Sequence, residues 1–197
     1  MKVSIIKYNA GNVQSVLFAL ERIGINACVT DNPEVLKASD KVIFPGVGEA
    51  SSAMSYLKER NLDELIVSLK QPVLGICLGM QLMCKYSEEG NTNCLGIFDT
   101  TVKLFSSNKG GIKVPQIGWN TIYDLKTDLY KGIKENDYLY FVHSYFAEVS
   151  NHTIAKSNYG LEYSSSLRNN NFYGVQFHPE KSSIVGQKIL ENFIKLT

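Results

Sequence analysis

A cysteine in a glycine-framed turn is the residue best suited to chemistry in this sequence. Residues 72–76 are a short apolar run, Cys77 follows within the pattern Gly-x-Cys-x-Gly, and helix-forming residues come next. This order predicts a buried strand, a tight turn and a helix, which is the thiol counterpart of the Gly-x-Ser-x-Gly nucleophile elbow. A Cβ atom at Gly75 or Gly79 would clash in so sharp a turn. The interpretation without catalysis is a buried structural cysteine beside two turn glycines.

The predicted turn would support negative charge at Cys77 and at an attacked carbonyl group. The helix after it would present its N-terminus to the sulfur, where the helix dipole favours thiolate over thiol. The Leu78 N–H would point to the place where an oxyanion forms. A second donor is expected from the turn at Gly46, Val47 and Gly48, because glycine permits a close approach there. A plain strand-to-helix connection would also favour glycine in that turn.

A thiol nucleophile needs a base at neutral pH, and the chain offers three histidines. We expect His152 in a solvated turn and His143 as a hydrogen-bonded structural residue among aromatic neighbours. His178 ends an apolar strand and precedes a proline and Glu180, so the carboxylate can hold one ring nitrogen while the other faces a thiol. An edge histidine beside a solvated glutamate is the alternative. The predicted triad of Cys77, His178 and Glu180 indicates acyl transfer.

Composition narrows the class of protein. The 197 residues predict one domain spanning 1–197, and 44% hydrophobic with 20% charged residues is typical of a globular chain. A net charge of +1 without a basic stripe argues against a nucleic-acid partner. The N-terminus turns polar too early for a signal peptide, and no apolar run is long enough for a membrane span. Four cysteines without zinc-like spacing predict a reduced, cytoplasmic protein with no metal site.

The first 86 residues alternate between strands and helices. Short apolar strands separated by helices predict a mostly parallel central sheet with helices on both faces. Right-handed crossovers would place both glycine turns at the edge where the strands end, which is where such sheets bind ligands. The predicted strands are residues 3–8, 26–30, 41–44 and 72–76, and the predicted helices are 13–23, 33–38, 50–60, 62–69 and 78–86.

The second half contains successive strands with polar turns such as 106–111 and 169–171 between them. Strands without intervening helices predict antiparallel pairing. The predicted fold class is therefore α/β, with an antiparallel β extension of the parallel sheet and a final helix over residues 183–196. The predicted strands are residues 96–105, 117–123, 138–145, 153–157, 162–168 and 172–177.

Several segments resemble a known family along the whole chain. Gly-Ile-Cys-Leu-Gly-Met-Gln at 75–81 and Gly-Val-Gln-Phe-His-Pro-Glu-Lys-Ser at 174–182 resemble class I, or triad, glutamine amidotransferases, whose domain is flavodoxin-like. Within that class, other segments resemble the glutaminase subunits of imidazole glycerol phosphate synthase. These are Tyr-Asn-Ala-Gly-Asn at 8–12, Pro-Gly-Val-Gly at 45–48, Lys-Val-Pro-Gln-Ile-Gly-Trp-Asn at 113–120 and Tyr-Phe-Val-His-Ser-Tyr at 140–145.

This resemblance implies a reaction and a partner. L-Glutamine would be hydrolysed to L-glutamate and ammonia without a cofactor or metal. The ammonia would pass to a (β/α)8-barrel cyclase in a heterodimer, which forms imidazole glycerol phosphate and an aminoimidazole carboxamide ribotide in histidine biosynthesis. Such glutaminases are weak until the partner is bound and loaded. A peptide flip in the turn near Val47 is a plausible switch, because it would move a donor into or out of the oxyanion site.

The resemblance also implies roles for individual positions. The nucleophile, base and orienting carboxylate would be Cys77, His178 and Glu180. Glutamine and its oxyanion would be held by Gly46, Val47, Gly48, Leu78 and Gln81. Positions toward the partner and the ammonia exit would be Trp119, Asn120 and Tyr140. One departure is Gln116, where many members have histidine, since an amide can hydrogen-bond but cannot carry the proton.

The sequence is also compatible with other functions. The same glutaminase chemistry could feed a different synthase, for example one that amidates surface sugars, because nothing in the triad distinguishes the two partners. A catalytically silent subunit that stabilises a synthase is a second alternative, against which the intact triad argues. A thiol peptidase fits less well because the segments around the glutamine pocket match the amidotransferases. The sequence does not determine whether the oxyanion turn is preformed.

Overall fold

A large mixed sheet runs through the middle of the molecule in the computed structural model, which describes residues 1–9, 12–106 and 111–196. The strands are β1 Val3–Ile6, β2 Ala27–Thr30, β3 Lys41–Phe44, β4 Val73–Ile76, β5 Cys84–Ser87, β6 Thr92–Asn93, β7 Phe98–Leu104, β8 Gln116–Thr121, β9 Tyr138–His143, β10 Tyr145–Ala147, β11 Thr153–Asn158, β12 Glu162–Asn169 and β13 Phe172–Val175. The helices are α1 Val13–Arg22, α2 Pro33–Lys37, α3 Ala50–Glu59, α4 Leu62–Ser68, α5 Leu78–Met83 and α6 Ser183–Lys195.

The order of strands confirms the predicted fold class. The sheet runs β2-β1-β3-β4-β13-β12-β10-β7-β5-β6, with β11 beside β12. Pairing is parallel from β2 to β13 and antiparallel from β13 through β12 and β10 to β7. Strands β8 and β9 form a separate antiparallel hairpin. The parallel part therefore carries the antiparallel extension along one side.

The core lies on both faces of the central strands. Strands β1, β3, β4 and β13 are buried along their whole length, as expected for strands covered by helices on both sides. Ile5 packs in the cluster that contains the apolar faces of α1 and α6. Its neighbour Ile6 packs in the opposite cluster with α3, α4 and α5. In the described part of the chain, no helix is long and apolar enough to cross a membrane.

The helix that follows Cys77 is shorter than the sequence predicts. It was expected to reach residue 86, but α5 ends at Met83 and Cys84–Ser87 forms β5. Cys84 and Ser87 are buried and Lys85 is exposed, and the pairing register with β7 shifts between Cys84 and Tyr86, so this strand is irregular. Pairing with β7 and β6 satisfies the backbone of this segment and decides against the helix.

The single strand predicted over residues 138–145 is two strands. The strand is interrupted at Ser144. As a result β9 pairs with β8 in the hairpin, while β10 pairs with β7 and β12 in the main sheet. This break brings residues 142–145 to the edge of a cavity beside Cys77. The predicted turn at 106–111 and the motif at 8–12 include residues 107–110 and 10–11, which lie outside the described residues.

Candidate active site

Cys77 occupies a strained elbow between β4 and α5. Its backbone has φ +52° and ψ −109°, a conformation that residues with a side chain rarely adopt. Such strain persists only where the surroundings enforce it, and it is typical of functional sites. A Cβ atom on Gly79 would overlap the Phe44 carbonyl oxygen of β3, and one on Gly75 would lie 2.8 Å from the carbonyl carbon of Gly79. The two glycines therefore have no room for a side chain, as the sequence predicts.

Parallel pairing of β4 with β13 brings His178 to the same edge of the sheet as Cys77. The Cys77 N–H donates to the Val175 carbonyl oxygen over 2.8 Å, and His178 follows three residues after Val175. The His178 Nδ1 atom lies 2.8 Å from Glu180 Oε1, and both side chains are 1% exposed. Within the described residues His178 Nε2 has no hydrogen-bond partner. This nitrogen is therefore available to the Cys77 sulfur.

The charge of His178 is set by its neighbours. Burial alone would lower its pKa, but the charge of Cys77 and the interaction with its sulfur, followed by the hydrogen bond and charge of Glu180, outweigh burial and raise the pKa to about 10. The ring is consequently an imidazolium at neutral pH. An imidazolium beside a sulfur can give a proton to a leaving group and take one from water afterwards.

The expected oxyanion donor is already occupied. The Leu78 N–H donates to the Gly46 carbonyl oxygen over 3.3 Å. The turn is held by the Tyr8 hydroxyl, which donates to the Pro45 carbonyl oxygen over 2.6 Å. Burial, followed by the nearby Cys77 charge, raises the pKa of Tyr8 far above its ordinary value, so the phenol keeps the proton that it donates. The oxyanion turn is therefore not preformed in this conformation.

A cavity of about 310 Å³ opens beside the sulfur. Five of the residues predicted at the site line it, namely Val47, Gly48, Cys77, Leu78 and Gln81. Gly46 is not among the described lining residues, and its carbonyl oxygen accepts the Leu78 N–H. A larger cavity of about 470 Å³ lies near Met1 and Ser39, and no histidine is among the described residues that line it. Of these two cavities, only the one beside Cys77 lies at the sheet edge that carries the pair of His178 and Glu180.

Glu89 lines the same cavity and was missed by the sequence analysis. Its Oε2 atom accepts a hydrogen bond from the Ala50 N–H over 2.8 Å. Burial raises the pKa of Glu89 above its ordinary value, although the Ala50 hydrogen bond acts against the shift. A partly buried carboxylate in a cavity is suited to bind an ammonium group. In the sequence, Glu89 is one of two adjacent glutamates before a glycine, and nothing marks it as part of a site.

The other two histidines have structural surroundings. His143 Nδ1 lies 2.7 Å from the Tyr145 carbonyl oxygen, as the prediction of a hydrogen-bonded residue requires. Burial, with a further contribution from the His178 charge, lowers the pKa of His143 to about 4, so this ring is neutral. His152 lies in a turn, but it is half-buried and its Nδ1 is 3.2 Å from the Arg168 carbonyl oxygen. The expected solvation of His152 is therefore only partial.

The β8–β9 hairpin carries the three residues predicted near a partner, Trp119, Asn120 and Tyr140. Two of them lie side by side, and Asn120 makes a separate contact. Trp119 and Tyr140 pair across the hairpin with ring centroids 6.0 Å apart, and Trp119 is 53% exposed. The Asn120 side chain instead donates to the Asn158 carbonyl oxygen, away from that pair. Ile117 and Tyr138 are also exposed, so the outer face of the hairpin is apolar.

The Tyr140 backbone connects this hairpin to the predicted base. Its carbonyl oxygen accepts the His178 N–H over 2.9 Å. Its N–H donates to Ser182 Oγ over 2.9 Å, and that hydroxyl donates to the His178 carbonyl oxygen over 2.6 Å. Across residues 1–9, 12–106 and 111–196, no group of three or more His, Cys, Asp or Glu side chains is arranged to hold a metal ion.

This α/β fold, with its glycine-framed cysteine and paired His178 and Glu180, is that of a triad amidotransferase. The chain belongs to the class-I glutamine amidotransferase family, whose sequence model matches residues 4–196. Over the whole of both chains it is 58% identical to the imidazole glycerol phosphate synthase subunit HisH of Bacteroides fragilis. The identity to the subunit of the same name from Bacteroides thetaiotaomicron is 52%, again over the whole of both chains.

Solved structures share the fold at low sequence identity. A putative GMP synthase subunit from Thermoplasma acidophilum superposes with a TM-score of 0.75 at 17% identity, covering 98% of this chain and 92% of that one. A protein described as a glutamine amidotransferase also gives a TM-score of 0.75 at 17% identity, covering 99% and 98%. These two likenesses support the fold alone.

Proposed function

We propose that this chain is the glutaminase subunit of an imidazole glycerol phosphate synthase and works in the cytoplasm. It hydrolyses L-glutamine to L-glutamate and ammonia and passes the ammonia to a cyclase subunit. The observation that carries the proposal is the buried pair of His178 and Glu180 at the sheet edge shared with Cys77, beside a cavity that can hold an amino acid. Full-length identity of 52–58% to HisH subunits supports the same function.

The first half-reaction forms a thioester. The Cys77 sulfur attacks the carbon of the glutamine side-chain amide, and a C–S bond forms. The C–N bond then breaks as His178 Nε2 gives its proton to the leaving nitrogen, which departs as ammonia. The raised pKa of His178 suits this step because the ring is protonated before the reaction begins. Glu180 holds Nδ1 and stabilises the positive ring throughout.

The second half-reaction restores the enzyme. His178, now neutral, takes a proton from water while the oxygen attacks the thioester carbon. The C–S bond breaks, glutamate leaves and Cys77 regains its negative charge. The substrate is held meanwhile by polar groups of the cavity. Glu89 is placed to bind the α-ammonium group of glutamine, and Gln81 lines the wall next to the sulfur.

The occupied oxyanion donor supports a resting state of low activity. In a trans peptide the N–H and C=O groups point in opposite directions. The unit between Gly46 and Val47 directs its carbonyl oxygen at the Leu78 N–H. Rotating that unit would withdraw the carbonyl, free the Leu78 N–H and turn the Val47 N–H inward as a second donor. Docking and loading of the partner would favour the rotated state.

The apolar outer face of the β8–β9 hairpin is the surface we assign to the partner. Trp119 and Tyr140 lie on it, and the Tyr140 backbone contacts His178. The partner is a (β/α)8-barrel cyclase in a heterodimer. The names of the relatives support this partner over a synthase that amidates surface sugars. The complete Cys77, His178 and Glu180 set argues against a silent stabilising role.

Replacing the nucleophile tests the reaction. The complex of Cys77→Ala with the cyclase should lose glutamine-dependent synthesis but retain synthesis from added ammonia, because only the thioester step needs the sulfur. Cys28→Ala removes an exposed cysteine elsewhere and should change neither activity. Both are measured as product formation from the cyclase nucleotide substrate. Glutaminase activity that persists in Cys77→Ala would contradict the assignment.

A further inference from the structure

We propose that Gln176 is a positioning residue for Cys77, with its side-chain N–H donating to the sulfur and Gln81 fixing its orientation. The inference rests on the proposed function, because it takes Cys77 as the nucleophile. Gln176 is fully buried directly after β13, two residues before His178. Its Nε2 atom lies 3.6 Å from Cys77 Sγ, within the range of a hydrogen bond to sulfur.

The backbone fixes Gln176 before it reaches the sulfur. Its N–H donates to the Ser165 carbonyl oxygen over 2.8 Å, which ties it to the neighbouring strand β12. Side chains alternate across an extended segment, so this anchoring aims the Gln176 amide toward the elbow, while Phe177 packs into the core on the other face. The amide therefore reaches Cys77 from a rigid element.

The Tyr145 carbonyl oxygen, which can only accept a hydrogen bond, determines which end of the Gln176 amide faces the sulfur. The Gln81 side chain lies 2.9 Å from the Tyr145 carbonyl oxygen, so the atom there must be Nε2. The same Nε2 lies 2.9 Å from the Gln176 side chain, where its second proton needs an acceptor, so that atom is Oε1. The other end of Gln176, which faces the sulfur, is consequently Nε2. The two amides form a relay whose orientation starts at a main-chain carbonyl.

The relay gives the sulfur a donor in addition to its base. A thiolate is stabilised by an N–H donor, and a bond to a charged partner is stronger than one between neutral groups. The Val142 carbonyl oxygen, 3.8 Å from Sγ, can accept only from the protonated thiol. Gln176 therefore favours the thiolate and holds it in the elbow, while His178 supplies the proton for the leaving group.

The test measures the nucleophile directly. In Gln176→Glu the side chain keeps its shape but presents an oxygen to the sulfur, and in Gln176→Met the amide is replaced by an apolar chain. Iodoacetamide alkylation of Cys77, followed by peptide mass spectrometry between about pH 6 and pH 9, should be about tenfold slower at pH 7 in both. The pH profile should also move to higher pH. Within the complex, kcat for glutamine should fall more than KM changes.

A matched control uses another glutamine. The Gln71 side chain donates to the Leu36 carbonyl oxygen far from the elbow, so Gln71→Glu also loses a side-chain donor. It should match the wild-type chain in alkylation rate and pH profile. If both Gln176 variants match as well, the inference is overturned. A change in KM alone, with unchanged alkylation, overturns it too, because the role would then concern substrate and not sulfur.

A measurement on the wild-type chain tests the inference even if the Gln176 variants do not fold. One proton of the Gln176 side-chain amide should shift in the NMR spectrum when Cys77 is alkylated, whereas the Gln71 amide should not. An unmoved Gln176 resonance overturns the inference. Alkylation consumes no glutamine, so a failure of the proposed function would appear separately, as a wild-type complex that does not hydrolyse glutamine.

Discussion

Cys77 has a backbone conformation that costs roughly 1–3 kcal/mol for a residue with a side chain. Its surroundings enforce that conformation, because its N–H is bonded to Val175 and the elbow is packed against Phe44. The result is a sulfur that stands clear of the sheet, next to an imidazolium and a cavity. At the scale of single residues, a strained backbone at Cys77 and a charged ring at His178 are held in place by backbone hydrogen bonds and packing.

The charge of His178 depends on the sulfur, which leads to a titration experiment. The raised pKa of about 10 means that the ring keeps its proton to higher pH than an ordinary histidine. In Cys77→Ala the contribution of Cys77 is gone, so burial still lowers the pKa of His178 and only Glu180 raises it. The titration midpoint of the His178 ring, followed by NMR, should therefore move to lower pH.

Serine at this position serves as the control for size. Cys77→Ser keeps a polar atom but has no charge at these pH values, so its His178 midpoint should fall as in the alanine variant. A midpoint that stays near the wild-type value in both variants would show that the sulfur does not set the charge of His178.

The sequence could predict that Cys77, His178 and Glu180 are candidates for a triad because each lies in a local pattern. Gly-x-Cys-x-Gly and His-Pro-Glu each contain their own geometric reason, namely a tight turn and a carboxylate two residues from a ring. Glu89 and Gln176 have no such pattern. They reach the site only through the turn after β5 and the pairing of β13 with β12, and neither contact is local in sequence.

Helices and strands could be predicted where the apolar residues follow a single period. The predictions were wrong where a helical and a strand period fit equally well. Residues 84–87, Cys-Lys-Tyr-Ser, alternate apolar and polar types too briefly to choose between helix and strand. The choice is made by β7, which supplies a pairing partner from later in the chain. Likewise the break at Ser144 depends on β9 and β10 joining different sheets. Long-range pairing is the information that the local sequence lacks.

The packing of α5 on β3 predicts a sharp difference between two glycines. Gly79→Ala should lower the free energy of unfolding by about 3 kcal/mol, because the added methyl group overlaps backbone that cannot move away. Gly24→Ala meets nothing within 4 Å but has a φ of +79°, so it should cost only about 1 kcal/mol. Urea denaturation of both variants provides the comparison, and equal losses would contradict the proposed crowding of the elbow.

At the scale of the molecule, the order of strands brings distant parts of the chain to one site. Strand β13, close to the C-terminus, lies between β4 and β12, so the elbow from the middle of the chain meets His178 from near its end. The sequence predicts a parallel sheet but not this insertion, since many strand orders suit the same local pattern. The same arrangement sets the β8–β9 hairpin beside the site.

The exposed hairpin face gives a prediction for assembly. Trp119→Ala should weaken binding of the cyclase by about 2 kcal/mol, or roughly thirtyfold in Kd, since a large exposed aromatic residue is a typical interface anchor. Val67→Ala alters another exposed apolar side chain, on α4, and should leave Kd unchanged. Isothermal titration calorimetry measures both. Equal affinities for the two variants would place the partner elsewhere.

The side chain and the backbone of Tyr140 have different neighbours, which determines which substitutions this position tolerates. Its side chain pairs with exposed Trp119, yet its peptide groups hold His178 directly and through Ser182. Any residue at position 140 would supply the same N–H and carbonyl oxygen, except proline, which lacks the N–H. The side chain at position 140 can therefore change without loss of the backbone hydrogen bonds that hold His178. The exposed side chain and the buried peptide groups of this one residue are therefore open to different mutations.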